Sequence, residues 1–164
     1  MSDGKENSAI KQADSADISD LNAIAQACDS IKTDHYFETA LKERHIYFVP
    51  GKGYAMLNWS PIYALYKRLG IPEIQDMNVH PDHRRQGIAT TLIKHCENLA
   101  RDKGKREMGI SVGLYTDYGR AQRLYAKMGY IPDGNGVTYD REIVQPFSIH
   151  PVDDDLCLML IKPL

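Results

Sequence analysis

A single α/β domain of the α+β kind, with helices flanking a central sheet, is what this sequence predicts, on three observations. Apolar residues recur at helical spacing in two stretches, Leu21 to Cys28 and Ile88 to Ala100. Between them, two apolar runs flank Pro50-Gly51-Lys52-Gly53, the pattern of an antiparallel hairpin. A third run, Glu73–Val79, reads as a strand that leads within a few residues into the second helix.

Taken in order, residues 1–8 are rich in Ser, Asp, Gly and Lys and read as a flexible leader, with residues 9–164 forming the domain. After a short strand near Ile10, Asp14 or Asp17 caps the first helix, whose apolar positions are Leu21, Ile24, Ala25 and Cys28. A second, shorter helix is expected over residues 34–42. The hairpin strands are Ile46-Tyr47-Phe48-Val49 and Tyr54-Ala55-Met56-Leu57-Asn58-Trp59. Ser60-Pro61 opens an irregular stretch with Tyr63 and Tyr66, holding a helical turn or two and ending at Gly70-Ile71-Pro72. The strand Glu73–Val79 closes at His80-Pro81-Asp82. The helix from Gln86 carries Ile88, Leu92, Ile93, Cys96, Leu99 and Ala100 on one face and stops at Gly104. A strand follows at residues 108–112, then a helix marked by Ala121, Leu124, Tyr125 and Met128 that ends at Gly129. The continuous apolar run 156–161 suits a buried strand.

The bulk numbers narrow the function. With 164 residues and 43% hydrophobic content, the chain supports one good core and is short for two domains. Twenty basic residues balance 22 acidic ones for a net charge of -2, so no global field draws it to nucleic acid or an anionic membrane, and any anion site is local. Cys28, Cys96 and Cys157 are far apart and in no C-x-x-C spacing, which speaks against a disulfide framework or a structural zinc and suits a reducing compartment. The first twenty residues do not read as a signal peptide. No window supplies the ~20 apolar residues of a membrane span. A cytoplasmic location, without nucleic-acid or membrane partners, is the expectation.

The chemistry concentrates where the strand Glu73–Val79 meets the long helix, at Pro81-Asp82-His83-Arg84-Arg85-Gln86-Gly87-Ile88-Ala89. A helix start leaves backbone N–H groups unpaired and carries a partial positive charge, so a pyrophosphate placed there gains hydrogen bonds and a favourable dipole. Gly87 and Ala89 let a ligand come close, and Arg84 and Arg85 add charge. Neither G-x-x-x-x-G-K-[ST] nor a G-x-G-x-x-G after a strand occurs, which speaks against those two modes of nucleotide binding.

Arg84-Arg85-Gln86-Gly87-Ile88-Ala89 resembles the [QR]-x-x-G-x-[GA] signature of the GNAT superfamily of N-acetyltransferases. Tyr118-Gly119-Arg120-Ala121-Gln122-Arg123-Leu124-Tyr125-Ala126-Lys127-Met128-Gly129-Tyr130 is similar to that family's fourth helix, ending in Leu-Tyr-x-x-x-Gly-[FY]. The resemblance implies a mixed, mostly antiparallel sheet that splays in a V between its fourth and fifth strands, flanked by about four helices. It also implies acetyl-coenzyme A as cosubstrate. Its pyrophosphate would lie on Arg84, Arg85, Gln86, Gly87, Ile88, Ala89 and Thr90, and its pantetheine arm would pair with Met77, Asn78 and Val79 as an added strand. Tyr118 stands near the place of a polar cofactor contact.

Acetyl transfer to an amine requires a neutral nucleophile and a protonated thiol leaving group. By resemblance Tyr125 is the acid, although its spacing with Leu124 and Met128 also suits a core aromatic. Glu73 is a candidate base with Asp76 as its rival, and some relatives have no dedicated base. The acceptor, a small-molecule amine or a peptide or protein amine, falls by the same resemblance to Asp34, His35, Trp59 and Tyr63, with Tyr36 and Tyr66 nearby. Aromatics beside an acid suit a cationic amine, and they suit a homodimer interface equally. The alternative from another class is a module that binds coenzyme A to sense it or to dimerise, without efficient turnover. His80 and His83 lack a third ligand at useful spacing, so no metal is expected. Cys96 falls on an apolar helix face, and Asp153-Asp154-Asp155 reads as a solvated turn.

Overall fold

The computed structural model describes residues 9–164, and the expected leader at residues 1–8 lies outside the described residues. In chain order the elements are β1 (Lys11–Gln12), α1 (Ile18–Ala27), α2 (Tyr36–Glu43), β2 (His45–Val49), β3 (Gly53–Asn58), α3 (Ala64–Leu69) and β4 (Glu73–Val79). They continue with α4 (Ile88–Asp102), β5 (Glu107–Gly113), α5 (Gly119–Lys127), β6 (Ile131–Tyr139), β7 (Glu142–Ile143) and β8 (Leu156–Pro163). The strands follow the order β1-β2-β3-β4-β5-β8-β6-β7. The sheet is mixed and mostly antiparallel, with a parallel ladder between β4 and β5 over Glu73↔Gly109 and Ile74↔Ile110. Among the described residues there are five α-helices, where about four were expected, and the turn or two after Pro61 closes into α3 with Gly70 as its left-handed cap (φ 67°).

By density of contact the chain divides into two compact units. The first holds residues up to Leu57 together with Asp76–Ile93, and the second holds Asn58–Gln75 together with Lys94–Leu164.

In the first unit, Asp14 and Asp17 cap reciprocally around a 3-10 turn, Ser15–Asp17, that feeds α1: the Ala16 amide donates to Asp14 and the Asp14 amide to Asp17. Side chains alternate along the β2–β3 hairpin. Ile46, Phe48, Tyr54 and Met56 pack with Leu21, Ile24 and Ala25 of α1 and with Phe37 and Ala40 of α2. Tyr47, Val49, Ala55 and Leu57, which point the other way, are buried as well. Both faces are covered, which is why these strands read as unbroken apolar runs. Each large side chain so enclosed contributes about 1.5–3 kcal/mol. The hairpin turns at Gly51, whose φ of 67° needs a residue without Cβ strain, and the Gly51 amide donates to the Asp20 carboxylate at the end of α1's first turn.

In the second unit the organising side chain is Tyr66, fully buried with Tyr63, Ile71 and Met159. Its hydroxyl donates to the Leu160 carbonyl, and its ring lies so close to Gly109 that a Cβ there would stand 2.4 Å from a ring carbon. β5 and β8 pair over seven residues, from Glu107↔Pro163 to Gly113↔Cys157. Glu97 of α4, only 2% exposed, accepts from the Tyr130 hydroxyl (2.9 Å) and the Lys162 ammonium (2.8 Å), so its charge is compensated where it is buried.

Two sequence expectations differ from the structure here. β6 and β7 were not foreseen, because Pro132-Asp133-Gly134-Asn135-Gly136 has the composition of a loop. It is instead a break in register between Pro132 and Val137, with Gly134 (φ 90°) and Gly136 (φ 75°) absorbing the distortion. The run 156–161 is buried only at Met159 and Leu160, since β8 pairs on one side with the mostly exposed β6. Cys96 is fully buried as expected, and burial pushes its thiol up to about 12.

Because Tyr66 has no room to retreat, Gly109→Ala is expected to destabilise the protein by about 1–3 kcal/mol. The measurement is the denaturant midpoint, which should fall with an unchanged slope.

Candidate active site

The segment from β4 to α4 belongs to the first unit and bends sharply. A 3-10 turn, Pro81–His83, is capped by His80, whose Nδ1 accepts the Asp82 amide at 3.2 Å. Arg85 (φ 61°) and Gly87 (φ 78°) then adopt left-handed backbone on either side of Gln86. The helical ladder starts with the Thr91 amide on the Gly87 carbonyl (2.9 Å), so the amides ahead of it face outward as at any helix start. Arg84, Arg85, Gln86 and Gly87 are exposed, Ile88 is buried, and Ala89 and Thr90 are half-buried. A Cβ on Gly87 would meet no atom within 4 Å, so the space beside this backbone is open. These are the features of a cradle for an anionic group. Arg84 points back: its Nε donates to the Val79 carbonyl at 3.2 Å, leaving Arg85 as the outward arginine.

A second cluster of the same unit centres on Asp76. This residue has φ 42°, a left-handed conformation inside a strand, and its carboxylate collects four donors. Oδ1 accepts from the Lys32 ammonium (2.8 Å) and the Asn78 amide (3.0 Å), and Oδ2 from the Tyr36 (2.8 Å) and Tyr54 (3.2 Å) hydroxyls. The Lys32 ammonium also stands 4.7 Å above the Tyr36 ring. Burial and the Asp76 charge push both phenols well above their ordinary range. Met77, Asn78 and Val79 are half-buried. The Val79 carbonyl is already engaged by Arg84 Nε and by the Cys28 thiol (3.3 Å).

Glu73, at the other end of β4, belongs to the second unit and is fully buried. Its oxygens are held by Arg141 (2.8 Å) and Gln75 (2.8 Å). Tyr125 of α5 is 6% exposed, its ring centroid 6.2 Å from that of Tyr130, and burial raises its hydroxyl well above the ordinary tyrosine range. Tyr118 packs its ring across Gly113 and donates to Asp154 (2.8 Å), which also accepts from Tyr115. The expected solvated turn at 153–155 therefore anchors three tyrosines, since Asp153 accepts from the Tyr139 hydroxyl (2.9 Å).

Of the four residues expected to meet the acceptor, two belong to each unit. Asp34 and His35 are exposed beside a hollow of the first unit lined also by Tyr36, Thr39, Glu43 and Arg44. Trp59 and Tyr63 belong to the second unit. Trp59 lies under the Lys103 ammonium (4.5 Å), and Tyr63 is buried with its hydroxyl on Asp133, contacts that together with burial push it up to about 12.

Sequence reasoning missed Lys32, Tyr54, Arg141 and Gly53. Lys32 and Tyr54 reach Asp76 across 44 and 22 residues, with no motif to join them. Arg141 sits left-handed (φ 63°) in a two-residue turn between β6 and β7, a place where sequence leads one to expect glycine or asparagine. Gly53 had a signal in its turn composition, but its role is packing: a Cβ there would stand 2.9 Å from the Asn78 carbonyl and 3.0 Å from Ile88.

Comparison with known proteins agrees with this geometry. A family profile described as acetyltransferase (GNAT) domain matches residues 40–132, more than half the chain. No curated protein matches it. Among solved structures it is similar to a GNAT family acetyltransferase from Elizabethkingia anophelis with acetyl-CoA bound, at TM-score 0.66 and 15% identity, over 95% of this chain and 97% of that one. It is similar also to the ribosomal-protein-S18-alanine N-acetyltransferase from Escherichia coli, at TM-score 0.69 and 13% identity over 94% and 92% of the two chains. Naa20 of Chaetomium thermophilum, in complex with a bisubstrate analogue, matches at TM-score 0.67 and 16% identity over 95% and 86%. At such identities the likeness is one of fold, whereas the profile match, laid over the β4–α4 segment and α5 just described, shows that the chain belongs to the GNAT acetyltransferase family.

Proposed function

We propose that the protein transfers the acetyl group of acetyl-coenzyme A to a primary amine of a small molecule, peptide or protein by direct attack. The observation that carries the reading is the backbone between β4 and α4. Left-handed Arg85 and Gly87 precede a helix of 15 residues, with open space beside Gly87. The amides of Gln86 to Thr90 hold the diphosphate, with Arg85 supplying charge. Met77 and Asn78 carry the pantetheine arm on their backbone, while Arg84 braces Val79.

Acetyl-coenzyme A supplies an activated thioester, and the protein supplies the proton transfers. Tyr125 is the acid: a phenol whose hydroxyl is raised by burial stays protonated at neutral pH and has a proton to give. Asp76 rather than Glu73 takes the proton of the amine. Glu73 is enclosed with both oxygens held by Arg141 and Gln75, whereas Asp76 already holds an ammonium. Tyr118 positions α5 through Asp154. Among the described residues no helix is long and apolar enough to cross a membrane, and the three cysteines are free thiols, which suits a cytoplasmic setting.

The reading is tested by titrating acetyl-coenzyme A and coenzyme A calorimetrically and by following free thiol release against a panel of amines. Heat without thiol release on any amine would leave a coenzyme A-binding module; no heat with either would end the reading.

Three variants refine it. Gly87→Ala forces a Cβ into left-handed backbone at about 1–2 kcal/mol and fills the open space, so the acetyl-coenzyme A Kd should rise at least about ten-fold. Gly53→Ala pushes Asn78 and Ile88 from behind and should weaken the same affinity in calorimetry without touching the ligand. Tyr125→Phe should lower kcat about 10²-fold and leave the calorimetric Kd unchanged; normal turnover would remove Tyr125 from the acid role.

A further inference from the structure

Lys32 lies in the connection between α1 and α2 beside Ile31, which is 95% exposed, yet its own side chain turns inward and is only 15% exposed. Ordering a lysine side chain costs rotamer freedom, and lysines in such connections ordinarily stay in water. Here the ammonium meets a carboxylate at 2.8 Å and an aromatic face at 4.7 Å. That pairing is the general way to recognise an alkylammonium. The seat is prepared independently of Lys32: Asp76 is twisted left-handed, and its second oxygen is fixed by the Tyr36 and Tyr54 hydroxyls. Asp76 also directly precedes Met77 and Asn78, whose backbone carries the acyl arm in the reading above.

We propose that this cage is the seat of the acceptor's ammonium and that Lys32 occupies it as an internal acceptor, becoming acetylated itself. The inference rests on the acetyl-transfer reading. Asp76 takes a proton from the Lys32 ammonium, and the freed nitrogen lone pair forms a bond to the thioester carbonyl carbon. The carbon–sulfur bond breaks, the sulfur leaves with the electron pair, and it takes up the second proton, which the nitrogen sheds as the amide forms. The products are Nε-acetyl-Lys32 and free coenzyme A. Acetylation removes the charge that held Lys32 on Asp76 and Tyr36, so the cage becomes free for an external acceptor of the same chemistry, a primary alkylammonium on an unbranched stem.

The experiment incubates the full chain with acetyl-coenzyme A and maps acetyl-lysines by mass spectrometry of a digest, with calorimetry on the same sample. Exposed Lys42 and Lys67 serve as internal references for uncatalysed acetylation. Lys32 should be modified at least ten-fold faster than either, at a rate independent of protein concentration, and Asp76→Asn should bring it down to their level. Lys32 modified no faster than Lys42 and Lys67 in a sample that binds acetyl-coenzyme A overturns the inference and leaves the transfer reading intact. A sample without binding heat overturns both. Should Asp76→Asn fail to fold by circular dichroism, the comparison of Lys32 with the exposed lysines in the unaltered protein decides alone.

Discussion

The conformation of Asp76 is the constraint around which the first unit is arranged. A non-glycine residue held left-handed inside a strand is disfavoured by roughly 1–3 kcal/mol and persists only when its surroundings over-determine it. Four donors do so, from the α1–α2 connection, α2, β3 and β4 itself. Hydrogen bonds to a charged group are each worth about 1.5–3 kcal/mol, so together they outweigh the strain. The packing of Phe37 edge-on against Tyr54 at 5.4 Å fixes the β3 tyrosine that reaches the carboxylate. Core and polar cluster are thus one construction: the hydrophobic contacts that close the unit also aim the hydroxyls.

The second unit solves a similar problem with a buried charge. Glu73 is out of water entirely, and removing one partner of such a pair typically costs about 3–5 kcal/mol, because a lone buried charge remains. Its partner Arg141 comes from a tight turn in which both Asp140 (φ 46°) and Arg141 (φ 63°) are left-handed. Strain in that turn is balanced by neutralising Glu73. The same carboxylate that by family resemblance is a candidate base also ties β4 to the β6–β7 hairpin through Arg141.

The elements legible in the sequence were those with a strong period and clear punctuation. β4 was read to the residue, and α4 to within two residues, because His80-Pro81-Asp82 closes the strand, apolar residues recur at helical spacing from Ile88, and Gly104 ends the helix. The hairpin was legible from Gly51 and Gly53 between apolar runs. β6 was not, because a strand that breaks register at two left-handed glycines has the composition of a loop. The distant partners of Asp76 and Glu73, namely Lys32, Tyr36, Tyr54 and Arg141, were illegible for another reason: they arrive from 22 to 68 residues away, and no local spacing encodes such a meeting.

By itself, then, the sequence determined the family signature, the glycine-bearing start of α4 and most of the element order, since these depend on backbone geometry and periodicity over a few residues. Tertiary structure alone decided which carboxylate of β4 is enclosed and which holds an ammonium. Burial and charge pairing arise from groups brought together by the whole fold, and only the folded chain carries that information.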